Sequence, residues 1–154
     1  MKVRDVGSQR CSVARGVSVV GDPWTLLVLR EAFLGTRRFE DFHARIGASR
    51  AVLSGRLEKL VENGIFERRP YQEKPTRHEY RLTEKGVDLY PVITTLADWG
   101  DKWLDAGRGR PLERVHRDCG AVMSARLHCS ECGEALDPRH ITTRPGPGFL
   151  EPGS

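Results

Sequence analysis

A chain of 154 residues, 38% hydrophobic and 30% charged, has room for one domain with a buried core and one small appendage. No run of residues is as long and apolar as a membrane-spanning helix requires, and residues 1–10 lack the apolar stretch of an export signal. The sequence therefore predicts a cytoplasmic protein with no membrane partner, whose four cysteines serve as thiols or metal ligands rather than as disulfides.

The net charge of +4 is unevenly distributed along the chain. Residues 1–104 contain 18 Lys and Arg against 14 Asp and Glu, whereas residues 105–154 contain 7 of each. Residues 35–81 alone contain 11 basic groups, and 9 of these are Arg, the side chain best suited to phosphates and guanine edges. This distribution favours a polyanionic partner, and an ordinary solvated surface is the alternative that charge alone leaves open.

The spacing of apolar residues predicts helices from the N-terminus onward. Val13 and Val17 lie on one stripe of a short first helix. Asp22-Pro23 is typical of a helix start, because the carboxylate accepts free N–H groups and proline fits the first helical position. This second helix runs to Gly35, and the residues predicted to face inward are Trp24, Leu27, Val28 and Leu34.

The segment that follows has the pattern of a helix-turn-helix with a wing. A two-turn helix over 38–46 is joined by a short connection to a helix that Ser49 opens as N-cap. The predicted buried stripe of this helix consists of Leu53, Leu57 and Leu60. Two strands over 65–69 and 79–82 follow, with a loop over 70–78 between them. The sequence therefore predicts a mainly α fold of the α+β type, a winged helix-turn-helix with a small β-hairpin wing.

This pattern predicts DNA binding, because a helix fits the major groove while the flanking elements hold the backbone. The candidates for base reading are Ser49, Arg50, Ala51 and Ser54. The candidates for phosphate contacts beside the first helix are Arg37 and Arg38, and those of the wing are Lys74, Thr76 and Arg77. Arg56 is open, since the helix turns it either toward phosphate or toward an intramolecular Glu.

Over about residues 10–104 the chain resembles one family. The motifs that carry the resemblance are CSVA at 11–14, VVGDPWTLLVLR at 19–30, GTRRF at 35–39, VLSGRL at 52–57, NGI at 63–65, RHEYRLTEKG at 77–86 and ADW at 97–99. They are similar to those of the HxlR family of bacterial regulators, which implies a homodimeric winged helix, related to the MarR regulators, that binds a near-palindromic operator. Two features depart from the ordinary pattern: Arg50-Ala51 stands where the family often has Pro-Lys, and Gly55 lies inside the recognition helix.

The resemblance also implies that terminal helices form the dimer. After Thr83 the sequence predicts one long helix whose apolar stripe is broader than one domain can cover. The candidates for the dimer seam are Val13, Val17, Tyr90, Trp99 and Trp103. The alternative is that the aromatic residues only complete the monomer core. Four apolar residues either line a pocket for a small-molecule effector or form packed core: Trp24, Leu27, Trp99 and Trp103. Packed core is the favoured interpretation.

Cys11 stands at the predicted start of the first helix, where free N–H groups and the nearby Arg10 and Arg15 favour thiolate. Members of the HxlR family include sensors of quinones, aldehydes and oxidants with a cysteine at this position, so the resemblance makes Cys11 a candidate redox sensor. The alternative is that Cys11 is buried and serves only as a small apolar side chain. No second cysteine adjoins Cys11, and a disulfide therefore needs the thiol of a dimer partner.

The C-terminal part of the sequence has the pattern of a separate metal-binding segment. It divides into a linker over 105–112, a zinc-ribbon-like segment over 113–144 and a disordered tail over 145–154. The candidate ligands of a structural zinc ion are His116, Cys119, Cys129 and Cys132, in two pairs that are each followed by glycine. The metal would replace a core that about 25 residues cannot build. His128 in place of His116, a ribbon without an ion, and a disulfide are the alternatives that stay open.

The sequence as a whole predicts a sequence-specific transcriptional regulator, more readily a repressor than an activator, that responds to a small molecule or a redox signal. We do not expect an enzyme, because no acid, base and nucleophile groups converge in the sequence. The alternative is an adaptor that docks protein partners through the zinc ribbon and uses the winged helix as its scaffold. Arginines on the exposed helix and wing argue against the adaptor.

Overall fold

The computed structural model describes residues 3–149. Helices α1 to α4 are followed by strands β1 and β2 and by helices α5 and α6, and their bounds are Ser12–Val20, Pro23–Phe33, Phe39–Ile46, Arg50–Glu62, Phe66–Glu73, Thr76–Leu82, Glu84–Val87 and Tyr90–Trp103. Short 3-10 helices cover Val3–Ser8, Pro138–His140 and Pro147–Phe149. The chain divides into two compact units between Ile93 and Thr94, inside α6, whereas the sequence pattern placed the boundary at the linker 105–112. In the part of the chain that the structure describes, no helix is long and apolar enough to cross a membrane.

Local signals set three helix ends where the sequence predicted them, the starts of α2 and α4 and the end of α3. The Oδ1 atom of Asp22 accepts the N–H of Thr25 at 3.0 Å and caps α2. The Oγ atom of Ser49 accepts the N–H of Val52 at 3.3 Å and caps α4. Gly47 ends α3 with a φ of 76°, a left-handed conformation that glycine adopts without a Cβ penalty.

The core of the first unit lies among α2, α3, α4 and the start of the hairpin. Leu53, Leu57 and Leu60 of α4 are fully buried, as the sequence predicted. They share one cluster with Val28, Leu29, Ala32, Phe42, Ile65 and Phe66. The inward placement predicted for Trp24 and Leu34 is wrong, since these residues lie in the first turn of α2 and beyond its end and remain exposed.

The hairpin is longer than the sequence indicated. Strands β1 and β2 pair antiparallel up to the two-residue turn 74–75, so the predicted loop over 70–78 is wrong. The register shifts between Pro70 and Gln72, and this bulge lets β1 continue past a residue that has no N–H to donate.

The single long helix predicted after Thr83 is also wrong, because the chain turns between α5 and α6. The hydroxyl of Thr83 accepts the N–H of Gly86 at 3.2 Å and donates to the carbonyl of Gly64 at 2.6 Å. Gly86 is buried, and a Cβ atom at this position would lie 2.3 Å from the carbonyl oxygen of Ile65. The absence of a side chain at Gly86 therefore allows α5 to pack against the start of the hairpin.

The second unit contains the C-terminal part of α6 and the segment after it. Arg114 forms an ion pair with Asp98, whose other carboxylate oxygen accepts the N–H of Ala125 at 2.6 Å. Arg110 donates to the hydroxyl of Ser124 at 2.5 Å. No residue in the range 105–149 is buried, so polar contacts rather than a core hold this segment on the helix.

Gly86→Ala is expected to lower the free energy of unfolding by about 1–3 kcal/mol, because the added methyl group overpacks the contact with Ile65. Gly55→Ala is the matched control, since a Cβ atom inside α4 at this position meets nothing within 4 Å. It should raise the free energy of unfolding by up to about 1 kcal/mol. Urea denaturation followed by circular dichroism measures both, and a Gly86→Ala protein as stable as the unmodified chain would contradict the packing.

Candidate nucleic-acid interface

The hairpin is held beside the start of α3 by the connection between α2 and α3. The N–H of Tyr80 donates to the carbonyl of Arg37 at 2.7 Å, and Arg38 forms an antiparallel bridge with Glu79. Residues 37–38 thus add a short third segment to the edge of β2. This arrangement fixes the hairpin relative to the helix-turn-helix that α3 and α4 form.

Burial of the leucine stripe determines which side of α4 faces outward. At the N-terminal end of the helix, Ser49, Arg50 and Ala51 are exposed and Ser54 is half-buried. Gly55 is exposed beside them and leaves open space where a side chain would stand. The four residues predicted to read bases therefore lie together on an accessible end of the helix, with room for another backbone to approach.

Arg50 forms a two-pronged ion pair with Glu40 of α3. Its two terminal nitrogens lie 2.9 and 2.6 Å from the two carboxylate oxygens, and the guanidinium lies 5.5 Å from the centre of the Phe39 ring. The hydrogen bond from Arg50 holds the pKa of Glu40 below its ordinary value. Both side chains are more than half exposed, at 60% and 68%, and such pairs contribute little stability. Nothing in the sequence pattern identified Glu40 as the partner.

Arg56 pairs within the chain with Asp22, not with a glutamate. Its Nε and terminal nitrogen lie 2.8 and 2.9 Å from the two oxygens of the carboxylate that also caps α2. One turn further along α4, Lys59 donates to the carbonyl of Ser18 at 2.8 Å. These contacts join the middle of α4 to α1 and to the start of α2, so Arg56 positions the helix and does not belong to its open end.

The two arginines before α3 differ in their surroundings. Arg37 donates from one nitrogen to the carbonyls of Ala32 and Thr36, at 2.6 and 2.9 Å, and thereby satisfies the C-terminal end of α2. Arg38 is exposed, and its guanidinium lies 4.2 Å from the centre of the Tyr71 ring. Of the two, Arg38 is the one available to a ligand.

A cleft of about 690 Å³ separates the start of α3 from the hairpin. Its lining consists of Arg38, Phe39, Glu40, Asp41, Tyr71, Arg77, His78 and Tyr80. Arg77 is exposed here, and Lys74 and Thr76 are exposed at the tip of the hairpin. The predicted wing residues are therefore accessible. Tyr71 and His78, which the sequence pattern did not single out, complete the cleft because the hairpin bulge and register bring them there.

Cys11 is the N-cap residue of α1, as predicted, and makes no side-chain capping hydrogen bond. The neighbouring Arg15 donates to the hydroxyl of Ser12 at 3.0 Å. Cys11 is exposed and is not a core side chain of the chain as described.

The candidate dimer residues are also accessible. Val13 and Val17 are exposed on α1, and Trp99 and Trp103 are 55% and 63% exposed on α6, so these tryptophans are not packed core of the chain. Tyr90 packs edge to face on Phe33 with the ring centres 5.1 Å apart, although it too is partly exposed. The monomer-core interpretation therefore applies in part to Tyr90.

A helix-turn-helix with an accessible helix end and a basic wing defines the class of DNA-binding regulators. Residues 19–108 match the model of the HxlR-like helix-turn-helix family, and the chain belongs to that family. An uncharacterised HTH-type transcriptional regulator of Mycobacterium tuberculosis is 49% identical over 138 residues, which make up 90% of this chain and 87% of the relative. The chain is thus a transcriptional regulator of the HxlR family, and the adaptor alternative is not favoured.

Two solved structures extend the comparison. PA1607, described as a candidate transcription factor, is 31% identical with a TM-score of 0.80 and covers 93% of this chain and 99% of its own. Because residues 1–104 are only about two thirds of 154, this match extends into the C-terminal segment. The redox regulator HypR in its oxidised form is 29% identical with a TM-score of 0.56, over 60% of this chain and 96% of its own.

Asp22→Asn should lower the free energy of unfolding at pH 7 by roughly 0.5–1 kcal/mol, because the neutral amide loses the charge interaction with Arg56. Burial raises the pKa of Asp22, but hydrogen bonds from the Thr25 N–H and Arg56 outweigh it and leave the pKa below its ordinary 3.8. A depressed pKa stabilises the fold above the unfolded value, and this contribution disappears as the pH falls through the folded value.

The difference in free energy of unfolding between the unmodified chain and Asp22→Asn is therefore expected to become smaller below about pH 4. Urea titrations at several pH values measure it. In an Arg56→Ala background the effect of Asp22→Asn should shrink, which separates the ion pair from the helix cap. A difference that stays constant down to pH 2 would show that the ion pair between Asp22 and Arg56 contributes nothing to the free energy of unfolding.

Proposed function

We propose that the protein is a homodimeric repressor that inserts the N-terminal end of α4 into the major groove of a near-palindromic operator. The observation that carries this proposal is the Arg50 guanidinium, which an exposed carboxylate holds in a two-pronged contact at the accessible end of α4. The same fork fits the O6 and N7 acceptors of guanine. Because the intramolecular pair is exposed and weak, a base edge can replace Glu40 at little cost.

Acidic groups on the reading surface support sequence discrimination. Glu40 holds Arg50, and the Ser54 hydroxyl donates to Glu58 at 3.3 Å. A carboxylate close to phosphate is repelled unless a favourable partner is present, and the amino group of cytosine is such a partner. DNA without the matching bases therefore loses the contact with Arg50 and retains the repulsion.

The wing supplies contacts that do not depend on sequence. Arg38, Arg77 and Lys74 are exposed around the cleft and at the hairpin tip, where they can neutralise phosphates. Phosphate contacts fix the register of the protein on the duplex and give the binding its salt dependence. Arg37 and Arg56, which are held by the chain itself, are not assigned to this role.

The exposed apolar residues on α1 and α6 are proposed to form the dimer seam. Val13 and Val17 on one helix and Trp99 and Trp103 on the other are exposed in the isolated chain. A two-fold dimer places two recognition helices about 34 Å apart, one helical turn of DNA. Repression requires only that the operator be occupied, whereas activation also requires a contact with the polymerase. A regulator of this kind acts in the cytoplasm, where it meets the chromosome.

We extend the proposal to a redox signal at Cys11. The residue is exposed at the start of the helix that carries Val13 and Val17, and HypR, a relative in fold and sequence, is a redox regulator. Two Cys11 thiols from two protomers can form one disulfide, releasing two protons and two electrons to an oxidant such as a hydroperoxide or quinone. A covalent link at this position would shift the dimer helices and hence the spacing of the recognition helices.

Arg50→Ala is expected to reduce the preference for operator DNA over a scrambled duplex by about 10- to 100-fold, because it removes a base contact. Arg77→Ala should weaken both complexes about equally and reduce the salt dependence, because it removes a phosphate contact. Fluorescence anisotropy with DNA from directly upstream of the gene, at two salt concentrations, measures both. Equal loss on both duplexes from Arg50→Ala would remove that residue from base reading.

Val13→Glu and Trp103→Glu should each convert the dimer to a monomer, because a charge is buried in an apolar seam. Light scattering after size exclusion should then give the chain mass of 17.3 kDa instead of twice that value. Leu112→Glu, an equally exposed apolar position outside the proposed seam, is the control. A dimer that survives both substitutions would place the seam elsewhere.

A further inference from the structure

The C-terminal unit contains two small hairpins built on one hydrogen-bond pattern. In the first, the N–H of His116 donates to Ala121 at 3.0 Å, and the N–H of Gly120 donates back to His116 at 2.8 Å. A third bond, from Met123 to Arg114 at 2.8 Å, closes the hairpin. Gly120, which directly follows Cys119, has a φ of 68°, a left-handed conformation that glycine adopts without a Cβ penalty.

The second hairpin repeats these bonds. The N–H of Cys129 donates to Glu134 at 2.8 Å, the N–H of Gly133 donates to Cys129 at 3.0 Å, and Leu136 donates to Leu127 at 2.9 Å. Gly133 has a φ of 74°, as its counterpart does in the first hairpin. The two turns are therefore equivalent, although their sequences have little in common beyond the spacing.

This equivalence distinguishes the two histidines by their positions in the hairpins. His116 occupies in the first hairpin the position that Cys129 occupies in the second, and Cys119 corresponds to Cys132. His128 falls at the bridge position, opposite Ala135, and its Nδ1 atom contacts the Gly133 carbonyl at 2.9 Å. His128 is thus part of the hairpin frame, and His116 is part of the turn.

In the first turn, the two candidate ligands lie at the separation that a shared zinc ion requires. The Nδ1 atom of His116 lies 3.4 Å from the sulfur of Cys119. Two ligands on one zinc ion, at ordinary Zn–N and Zn–S bond lengths, lie about 3.6 Å apart. In the other turn, Cys129 and Cys132 stand at the positions equivalent to those of His116 and Cys119.

The two halves do not meet in the structure. Among the described residues, no group of three or more His, Cys, Asp or Glu side chains is placed to hold a metal ion. The hairpins also lack a core: nothing in 105–149 is buried, and Val115, Val122, Leu127 and Leu136 are all exposed. Two equivalent turns that carry candidate ligands, in a segment without a core, are typical of a fold that a metal crosslink stabilises.

We propose that one zinc ion closes the two hairpins onto each other, with His116, Cys119, Cys129 and Cys132 as its four ligands. Each of the three thiols loses a proton to solvent as its sulfur binds the metal, and no electron is transferred. Protein ligands fill all four positions, so the metal is structural. The closed unit is fixed to α6 where Arg114 pairs with Asp98 and where the Asp98 carboxylate accepts the N–H of Ala125.

The test uses the full-length chain, purified with reduced thiols and dialysed against a weak chelator. Mass spectrometry of the metal content should give about one zinc ion per chain. Replacement of zinc by Co²⁺ should produce the intense visible and near-ultraviolet absorption of tetrahedral cobalt with thiolate ligands. A wild-type chain that retains no zinc and gives no such spectrum with Co²⁺ would overturn the proposal.

Ligand variants then test the assignment. Cys129→Ser and His116→Ala should each weaken metal binding at least about 10-fold, whereas His128→Ala and His140→Ala should retain it. Far-ultraviolet circular dichroism distinguishes loss of a ligand from unfolding of the chain, because the helices of the first unit should remain in every variant. Loss of metal from His128→Ala with retention in His116→Ala would overturn the assignment of His116 as a ligand.

Discussion

The recognition surface depends on one constraint, the burial of Leu53, Leu57 and Leu60 on a single side of α4. This burial fixes the rotation of the helix about its axis, so that Arg50, Ala51 and Gly55 are exposed on another side. The ion pair between Asp22 and Arg56 acts in the same direction, because it joins the middle of α4 to the capped start of α2. Core packing and one half-buried ion pair together decide which side chains of α4 are accessible.

The electrostatics of the surface follow from where each charge is held. Arginines bound to main-chain carbonyls or to a half-buried carboxylate, such as Arg37 and Arg56, hold the fold together. Arginines on exposed partners, such as Arg50 on Glu40 and Arg38 on Tyr71, remain accessible to a ligand. The surface therefore presents fewer accessible arginines than the arginine count of the sequence suggests.

The sequence predicted the elements whose signals are local. The caps at Asp22 and Ser49 and the leucine stripe of α4 depend on neighbours within one or two turns, and they were confirmed. The partners of Arg50 and Arg56 lie on other helices, so spacing along the chain does not reveal them. The full length of the hairpin also escaped prediction, because a bulge beside Pro70 restores the strand that proline would otherwise end.

In the proposed dimer, two copies of α4 read two half-sites of one operator. Hydroxyl-radical footprinting on the DNA upstream of the gene tests this arrangement. We expect two protected segments related by a dyad, with centres about 10 base pairs apart, and loss of both segments in the monomeric Val13→Glu variant. Uniform weak protection that fades with salt, or one segment without a dyad partner, would contradict it.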